Sequence, residues 1–209
     1  MCYQTKQSKG EKALQKRFKA KLKNIVDSPK VTSLNFNGFD FPKTPVITNL
    51  DSSSIQLFNW GLIPSWSQDI EIRKHTLNAR VETLDEKPSF QNHINHRCLV
   101  LADGFYEWQW LDGKGRKKQK YEIGIENNEL FAFAGIWSEW DNNDTGETIQ
   151  TYSILTTEAQ GIMRDIHNSK LRMPVILKPE DESQWLEGKK VEPLYDLKGF
   201  TENYQEGLF

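Results

Sequence analysis

Cys2 carries the most distinctive chemistry in the sequence, because only Met1 precedes it. Methionine aminopeptidases remove an initiator methionine before a residue as small as cysteine, so Cys2 is expected to carry a free α-amine beside its thiol. Their reference pKa values, about 8 and about 8.5, bring either group close to its nucleophilic form at neutral pH. The amine can attack an aldehyde to give a Schiff base, and the thiol can then close a thiazolidine ring. The alternative is an incidental cysteine on a frayed terminus.

Glu107 and His167 are candidates for moving protons. Glu107 lies among aromatic residues in 105–108, and an apolar surround raises the pKa of a carboxyl. His167 follows a predicted helix, and a histidine can exchange a proton near neutral pH, as the opening of a sugar ring requires. The alternatives are a strand glutamate that faces water and a histidine that caps a helix.

Asn78 and Arg80 are candidates for positioning and binding. The amide of Asn78 can orient a reacting amine, and the guanidinium of Arg80 can hold a phosphate. The alternative is a helix start at which Arg80 and Glu82 join surface ion pairs. Trp60 and Trp66 flank a Gly and a Pro and could stack unpaired bases, although core packing is favoured for Trp60.

Cys98 is expected to fill core space, since it precedes a run of Leu and Val. With His93 and His96 it forms a short group of possible metal ligands. A zinc site needs a second pair at ligand spacing, and the sequence has none there. No metal or other cofactor is therefore expected.

Short strand-like runs follow one another through most of the chain, separated by turn-forming residues at 112–115, 127–128 and 142–146. This punctuation favours antiparallel hairpins. The predicted strands are Val46–Asn49, Ile55–Trp60, Cys98–Ala102, Tyr121–Ile125, Leu130–Gly135 and Thr148–Leu155.

Three helices are predicted around these strands. Leu14, Phe18, Leu22 and Ile25 recur at near-helical spacing within an amino-terminal segment. Thr157, with Gln160 three residues later, indicates an N-cap for a helix that carries Ile162, Met163 and Ile166 toward His167. A last helix is predicted to begin near Pro179 and to include Trp185.

The composition indicates one α+β domain over residues 1–209, with a mixed, mostly antiparallel sheet curved into a pseudo-barrel and flanked by helices. The mean hydropathy of −0.68 and the lack of a long apolar run predict a soluble, cytoplasmic protein that does not span a membrane. With two cysteines, the sequence does not predict a disulfide framework.

The net charge of −2 is unevenly distributed. Residues 6–24 hold eight basic residues against one glutamate, so the remaining chain carries 19 basic and 28 acidic residues and is net −9. The basic segment could line one edge of a nucleic-acid groove. A solvated helix face is the favoured interpretation for most of these lysines.

Five motifs in this order resemble the SOS response-associated peptidase (SRAP) family, whose members crosslink to abasic DNA. They are Met1-Cys2, Trp60-Gly61-Leu62-Ile63-Pro64-Ser65-Trp66, Asn78-Ala79-Arg80-Val81-Glu82-Thr83, Ala102-Asp103-Gly104-Phe105-Tyr106-Glu107-Trp108, and His167 leading into Arg172-Met173-Pro174. The resemblance extends from Cys2 to about Leu177.

The resemblance implies that Cys2 is the covalent residue, that Asn78 positions its amine and that Glu107 handles protons. It implies that His167 assists the opening of the deoxyribose ring. It also implies a pseudo-barrel with a positively charged groove, and contacts to DNA from Arg80, Trp66, Thr156, Pro42 and Arg172.

The sequence departs from the family pattern at three places. Family members often continue after the cysteine with Gly-Arg, whereas this chain has Tyr3 and Gln4. Lys6 or Lys9 could supply the positive charge that the arginine provides in those members. Four residues separate His167 from Arg172, more than in many relatives. Leu101 stands where a proline is common.

The expected function is the capture of abasic sites in single-stranded DNA as a thiazolidine at Cys2, by a monomer that joins the nucleoid when bound to DNA. A stalled Schiff base would lead to AP-lyase cleavage, and self-cleavage would be one route to the removal of Met1. One alternative is a thiol peptidase or amidohydrolase that uses Cys2 with His167 and Asn78. Another is a non-catalytic module that binds single strands.

Overall fold

The computed structural model describes residues 2–23 and 32–201. Its helices are α1 (Glu11–Phe18), α2 (Ile162–Ile166) and α3 (Glu182–Leu186). Its strands are β1 (Gln4–Gln7), β2 (Lys21–Leu22), β3 (Ser33–Asn37), β4 (Lys43–Thr48), β5 (Asp51–Trp60), β6 (Asn78–Arg80), β7 (Arg97–Ala102), β8 (Gly104–Trp110), β9 (Lys118–Gly124), β10 (Phe131–Asp141), β11 (Thr148–Glu158), β12 (Arg172–Pro174), β13 (Ile176–Leu177) and β14 (Lys198–Thr201).

Five strands close into a barrel in the order β5-β4-β7-β10-β11. Neighbouring strands are antiparallel, except where Asn59 and Trp60 of β5 run parallel to Thr151 and Tyr152 of β11 and complete the ring. Closure removes the exposed edges that an open sheet would present. The prediction of a mixed, mostly antiparallel pseudo-barrel with flanking helices is confirmed.

A second sheet packs beside the barrel in the order β14-β9-β8-β1-β3. β1 lies inside it, antiparallel to β8 on one side and to β3 on the other. The sheet therefore holds the beginning of the chain between two strands, and Cys2 joins the same buried cluster as Val46 and Phe58.

Trp60 lies in the barrel core, as predicted. Its side chain is 0% exposed, and its indole Nε1 donates to the carbonyl oxygen of Leu77 at 2.8 Å. The ring also stacks on Tyr152, with 6.3 Å between centroids. Trp60 thus links β5 to the segment that leads into β6.

The amino-terminal helix is shorter than predicted, because long-range strand pairing replaces helical structure at both of its ends. Gln4–Gln7 forms β1, and the helix covers only Glu11–Phe18. Lys19 then adopts a left-handed conformation with φ 52°, which ends the helix. Leu22 pairs in parallel with Ile55 instead of continuing the helical face. Ile25 lies outside the described residues.

The N-cap prediction at Thr157 is wrong. Thr157 belongs to β11 and pairs with Met173 of β12, because β11 continues to Glu158, three residues beyond the predicted strand end at Leu155. Gly161, with φ 52° and ψ −137°, precedes helix α2, which buries Met163 and Ile166 as expected. The last predicted helix is confirmed: a 3₁₀ turn at Pro179–Asp181 leads into α3, which buries Trp185.

Candidate functional site

Cys2 lies two residues before the start of β1 and is buried, with 0% exposure. The pairings Gln4–Tyr106 and Gln4–Asn37 fix the strand that follows it. Burial raises the pKa of the Cys2 thiol well above its usual value, and the nearby carboxylate of Glu107 raises it further. The thiol is therefore protonated at neutral pH.

A buried carboxylate clamps β1 against the start of β8. Oδ1 of Asp103 accepts from the backbone N–H of Ser8 at 2.9 Å, and the hydroxyl of Ser8 donates to the other carboxylate oxygen. Asp103 is 1% exposed. Farther along the sheet, Nζ of Lys6 lies 2.5 Å from Oε1 of Glu122. These contacts set the register of β1 and therefore the position of Cys2.

Asn78 joins Cys2 to the barrel. It begins β6, which runs parallel to β11 with Asn78 beside Ile154. Its Nδ2 donates to the backbone carbonyl of Cys2 at 2.8 Å. Its Oδ1 is buried and has no hydrogen-bond partner among the described residues, so it is available to a group that enters from outside.

Glu107 and His167 face each other near Cys2. Nε2 of His167 lies 3.8 Å from Oε2 of Glu107, and both side chains are almost fully buried. Burial raises the pKa of Glu107 to about 7 and lowers the pKa of His167 to about 4. At pH 6 both side chains are thus neutral, with the proton on Glu107.

The backbone of Arg172 orients the His167 ring. Nδ1 lies 3.1 Å from the amide nitrogen of Arg172, which can donate to it, and 2.7 Å from its carbonyl oxygen, which can accept from it. The choice between these bonds sets the imidazole tautomer and hence the state of the nitrogen that faces Glu107.

A groove of about 410 Å³ opens beside Asn78. It is lined by Tyr3, Lys74, His75, Thr76, Leu77, Asn78, Arg80, Thr83, Lys87, Pro88, Ser89 and Phe90. Four of these residues are basic or can become cationic, and none of these lining residues is acidic. The groove therefore suits an anionic ligand.

Arg80, Trp66 and Pro42 are at least partly exposed to solvent. Arg80 is exposed and lines it directly. Trp66 is 52% exposed, and its Nε1 donates to the carbonyl of Pro88, a lining residue, at 3.3 Å. Pro42 is partly exposed just before β4.

Thr156 and Arg172 have partners inside the protein. Thr156 is 0% exposed, and its Oγ1 donates to the carbonyl of Ala79 at 3.4 Å. The guanidinium of Arg172 makes two bonds to the carboxylate of Glu82, at 3.0 and 2.8 Å. Contacts of these two residues with DNA remain predictions.

The alternative of a helix start in this segment is confirmed only in part: Asn78–Arg80 forms β6, and one 3₁₀ turn follows at Val81–Thr83. Glu82 does join an ion pair, with Arg172.

His93 and His96 approach each other, with 3.5 Å between their Nδ1 atoms. Burial and the neighbouring ring lower the pKa of His93 to about 4. Cys98 is buried in the core cluster. In the described part of the chain, no three His, Cys, Asp or Glu side chains are grouped as ligands for a metal ion.

Sequence reasoning missed the clamp at Asp103 and the groove residues Lys74, His75 and Lys87. Asp103 lies four residues before Glu107 in the same motif, which was the available signal. The groove residues lie in segments of short 3₁₀ turns and loops without periodicity, so no local pattern indicates that they line one wall of the groove.

No helix within residues 2–23 and 32–201 has the length and apolar character needed to cross a membrane.

Comparison with known proteins identifies a family and several relatives of this chain. The model of the SOS response associated peptidase (SRAP) family matches residues 1–208. The chain is 42% identical over 151 residues to the abasic site processing protein YoqW of Bacillus subtilis (strain 168). It is 33% identical over 183 residues to the abasic site processing protein HMCES of Pongo abelii.

These alignments cover 72% and 73% of this chain but only 65% of YoqW and 51% of HMCES. Among solved structures, a protein of Bacteroides thetaiotaomicron shares the fold with a TM-score of 0.83 and 33% identity, over 97% of this chain and 93% of that one.

Proposed function

The chain belongs to the SOS response-associated peptidase (SRAP) family, and from this membership we propose that it processes abasic sites in single-stranded DNA by covalent capture at Cys2. One observation carries the proposal: the Asn78 amide holds the Cys2 backbone at 2.8 Å where a basic groove meets a buried pair of proton-exchanging groups. YoqW and HMCES are both abasic site processing proteins by name, which supports the same proposal.

The reaction begins at the α-amine of Cys2 after Met1 has been removed. An abasic deoxyribose opens to its aldehyde, and the amine adds to the carbonyl carbon. Loss of water gives an imine. The thiol sulfur then bonds to the imine carbon while its proton passes to nitrogen, which closes the thiazolidine. A protonated thiol suits this last step, because it supplies that proton.

Glu107 and His167 move protons in these steps. A carboxyl with a pKa of about 7 can give a proton to the departing hydroxyl and take one from the amine at neutral pH. The neutral imidazole of His167 lies 3.8 Å away and can assist the opening of the sugar ring. Asn78 places the amine, and positioning supplies much of the rate of such a step.

The groove holds the DNA. Arg80 and Lys87 line it and are suited to phosphate oxygens. Trp66 offers an exposed aromatic face beside it. Thr156, Pro42 and Arg172 are proposed as further contacts, with Arg172 acting after it leaves Glu82.

Lyase activity would arise from the same intermediate. Loss of the C2′ proton from the imine breaks the bond between C3′ and its oxygen and cleaves the strand. Ring closure removes the imine, so the thiol is proposed to protect the strand. Removal of Met1 by the protein itself is proposed as a separate peptidase step at the same site.

The test mixes protein verified by mass to begin at Cys2 with a single-stranded oligonucleotide that contains one abasic site. A heat-stable adduct that maps to Cys2 and is absent with an undamaged strand is expected. Cys98→Ser is the matched control, because Cys98 is the other buried free cysteine.

Cys2→Ser and Cys98→Ser should differ completely in the yield of heat-stable adduct. An adduct that survives in Cys2→Ser would refute thiazolidine capture. If wild-type protein gives no adduct but turns over amide substrates without DNA, the thiol hydrolase replaces this proposal.

A further inference from the structure

Tyr3, the residue that follows Cys2, forms an aromatic pair with Phe39. The rings of Tyr3 and Phe39 lie 5.0 Å apart between centroids and are tilted by 40°. Phe39 is 50% exposed, although phenylalanine is among the residue types most often buried in proteins. The pair does not take part in the chemistry proposed for Cys2, Asn78, Glu107 and His167.

The backbone holds the two rings in place. The amide of Gly38 donates to the carbonyl of Tyr3 at 2.8 Å, and the side chain of Asn37 accepts from the amide of Phe39 at 3.2 Å. A Cβ on Gly38 would lie 3.3 Å from the rings and side chains of Trp60 and Leu77, so this turn packs directly on the core. The aromatic pair is therefore preorganised.

Tyr3 also forms part of the basic groove. It lines the groove together with Asn78, Arg80 and Lys87, and the lining residues include no acid. A ligand that matches this surface has an anionic backbone and a flat apolar group. A single DNA strand has both.

We propose that Tyr3 and Phe39 form a stacking subsite for the base of the nucleotide next to the abasic one. The inference rests on the proposed function, because Cys2 must meet the abasic sugar. Consecutive Cα atoms are about 3.8 Å apart, so Tyr3 stands beside the neighbouring nucleotide when Cys2 reaches that sugar. An abasic site deprives this neighbour of a stacking partner, and the aromatic pair replaces the missing base.

The experiment measures non-covalent binding of a single strand that carries tetrahydrofuran in place of the abasic sugar. Tetrahydrofuran cannot open to an aldehyde, so binding is read without crosslinking. The fluorescent base 2-aminopurine stands on the 5′ side in one strand and on the 3′ side in another. Binding of wild-type protein is expected to change the emission of 2-aminopurine on only one side of the tetrahydrofuran, because stacking alters the emission of this base.

Phe39→Ala is expected to abolish that fluorescence change and to weaken binding roughly 5- to 150-fold. Phe200→Ala is the matched control: Phe200 is 41% exposed on β14, at the opposite edge of the sheet from β3. It should leave both signals unchanged.

A second test needs no variant. Replacing the stacked neighbour by another tetrahydrofuran should weaken binding to wild-type protein by a similar factor, and the same change on the other side should not. Equal losses on both sides, or unchanged fluorescence and affinity in Phe39→Ala, would overturn the subsite. Crosslinking of a true abasic strand in that same variant would leave the proposed function standing.

Discussion

Nε2 of His167 lies 3.8 Å from Oε2 of Glu107, and burial shifts the pKa values of these two neighbours in opposite directions. The pKa of Glu107 is raised to about 7 and that of His167 is lowered to about 4, both by burial. Between these values the pair holds one proton, carried by the carboxyl. At neutral pH the Glu107 carboxyl is therefore close to half ionised, and it can both donate and accept a proton.

The crosslinking rate is predicted to show an inflection near pH 7. The ionised form of Glu107 accepts the proton of the attacking amine, so the rate should rise as pH increases through the pKa of about 7. Glu107→Gln should remove that inflection and slow the reaction about 100-fold or more. The rate of adduct formation is measured between pH 5 and 9 in samples quenched at successive times. An unchanged pH profile in Glu107→Gln would assign the inflection to another group.

Glu107→Gln is also predicted to stabilise the fold in alkaline solution. The pKa of Glu107 is higher in the folded protein than in the unfolded chain, so the folded state keeps a proton that the unfolded state has lost. Stability due to this group therefore falls as pH rises from about 4.5 to about 7. At pH 8 the variant should gain up to about 3 kcal/mol in the free energy of unfolding.

Urea denaturation at pH 8 and pH 4 tests this, with the exposed Glu139 replaced by Gln as the control. The gain should vanish at pH 4, where both states are protonated. A gain of equal size at both pH values would point to packing rather than to charge.

Asn78→Ala is predicted to reduce the crosslinking rate about 10- to 100-fold, since it removes the 2.8 Å bond that holds the Cys2 carbonyl. Asn49→Ala is the control, because Nδ2 of Asn49 also donates to a backbone carbonyl, that of Asn95, at 3.1 Å. Binding of a tetrahydrofuran strand should be nearly the same in both variants. A rate loss matched by Asn49→Ala would mean that general destabilisation, rather than placement of the amine, is responsible.

Arg80 and Glu82 are predicted to change DNA affinity in opposite directions. Arg80→Ala removes a groove cation and should lower the slope of log affinity against log salt by about 0.7. Glu82→Gln removes the carboxylate that binds Arg172 and should strengthen binding, with a steeper salt dependence. Fluorescence anisotropy at several salt concentrations measures both. Weaker binding in Glu82→Gln would show that Arg172 is needed where Glu82 holds it.

Asp103→Ala is predicted to loosen β1, because it removes both acceptors of Ser8. The expected loss in the free energy of unfolding is about 2 to 4 kcal/mol, and the amides of β1 should exchange with solvent faster. Ser53→Ala is the control, since Ser53 makes a similar but exposed bond to Asp51 at 2.9 Å. Unchanged hydrogen exchange in β1 would show that pairing with β3 and β8 alone fixes the strand.

The sequence predicted the barrel strands because each carries its own apolar pattern between turn-forming residues. It failed at Gln4–Gln7 and at Thr157, where partners distant along the chain impose strand structure. The site residues could be named from motifs. Their geometry could not, since the pairing of Asn78 with Ile154 and the approach of His167 to Glu107 arise only when separate segments meet.

Tyr3 shows this limit most clearly. It departs from a common Gly-Arg pattern, and its partner Phe39 lies 36 positions later in the sequence. The contact between them depends on the pairing of β1 with β3, which local patterns do not reveal.

Burial of Cys2 also restricts which aldehydes can reach it. Free sugars and other small carbonyl compounds would consume an aminothiol that stood open to the medium. A residue with 0% exposure meets such solutes rarely. Under the proposed covalent capture, a strand bound along the cationic groove would hold its aldehyde beside Cys2 for longer than a free solute stays there. The enclosing strands would then select by residence time and reserve the aminothiol for lesions on bound DNA.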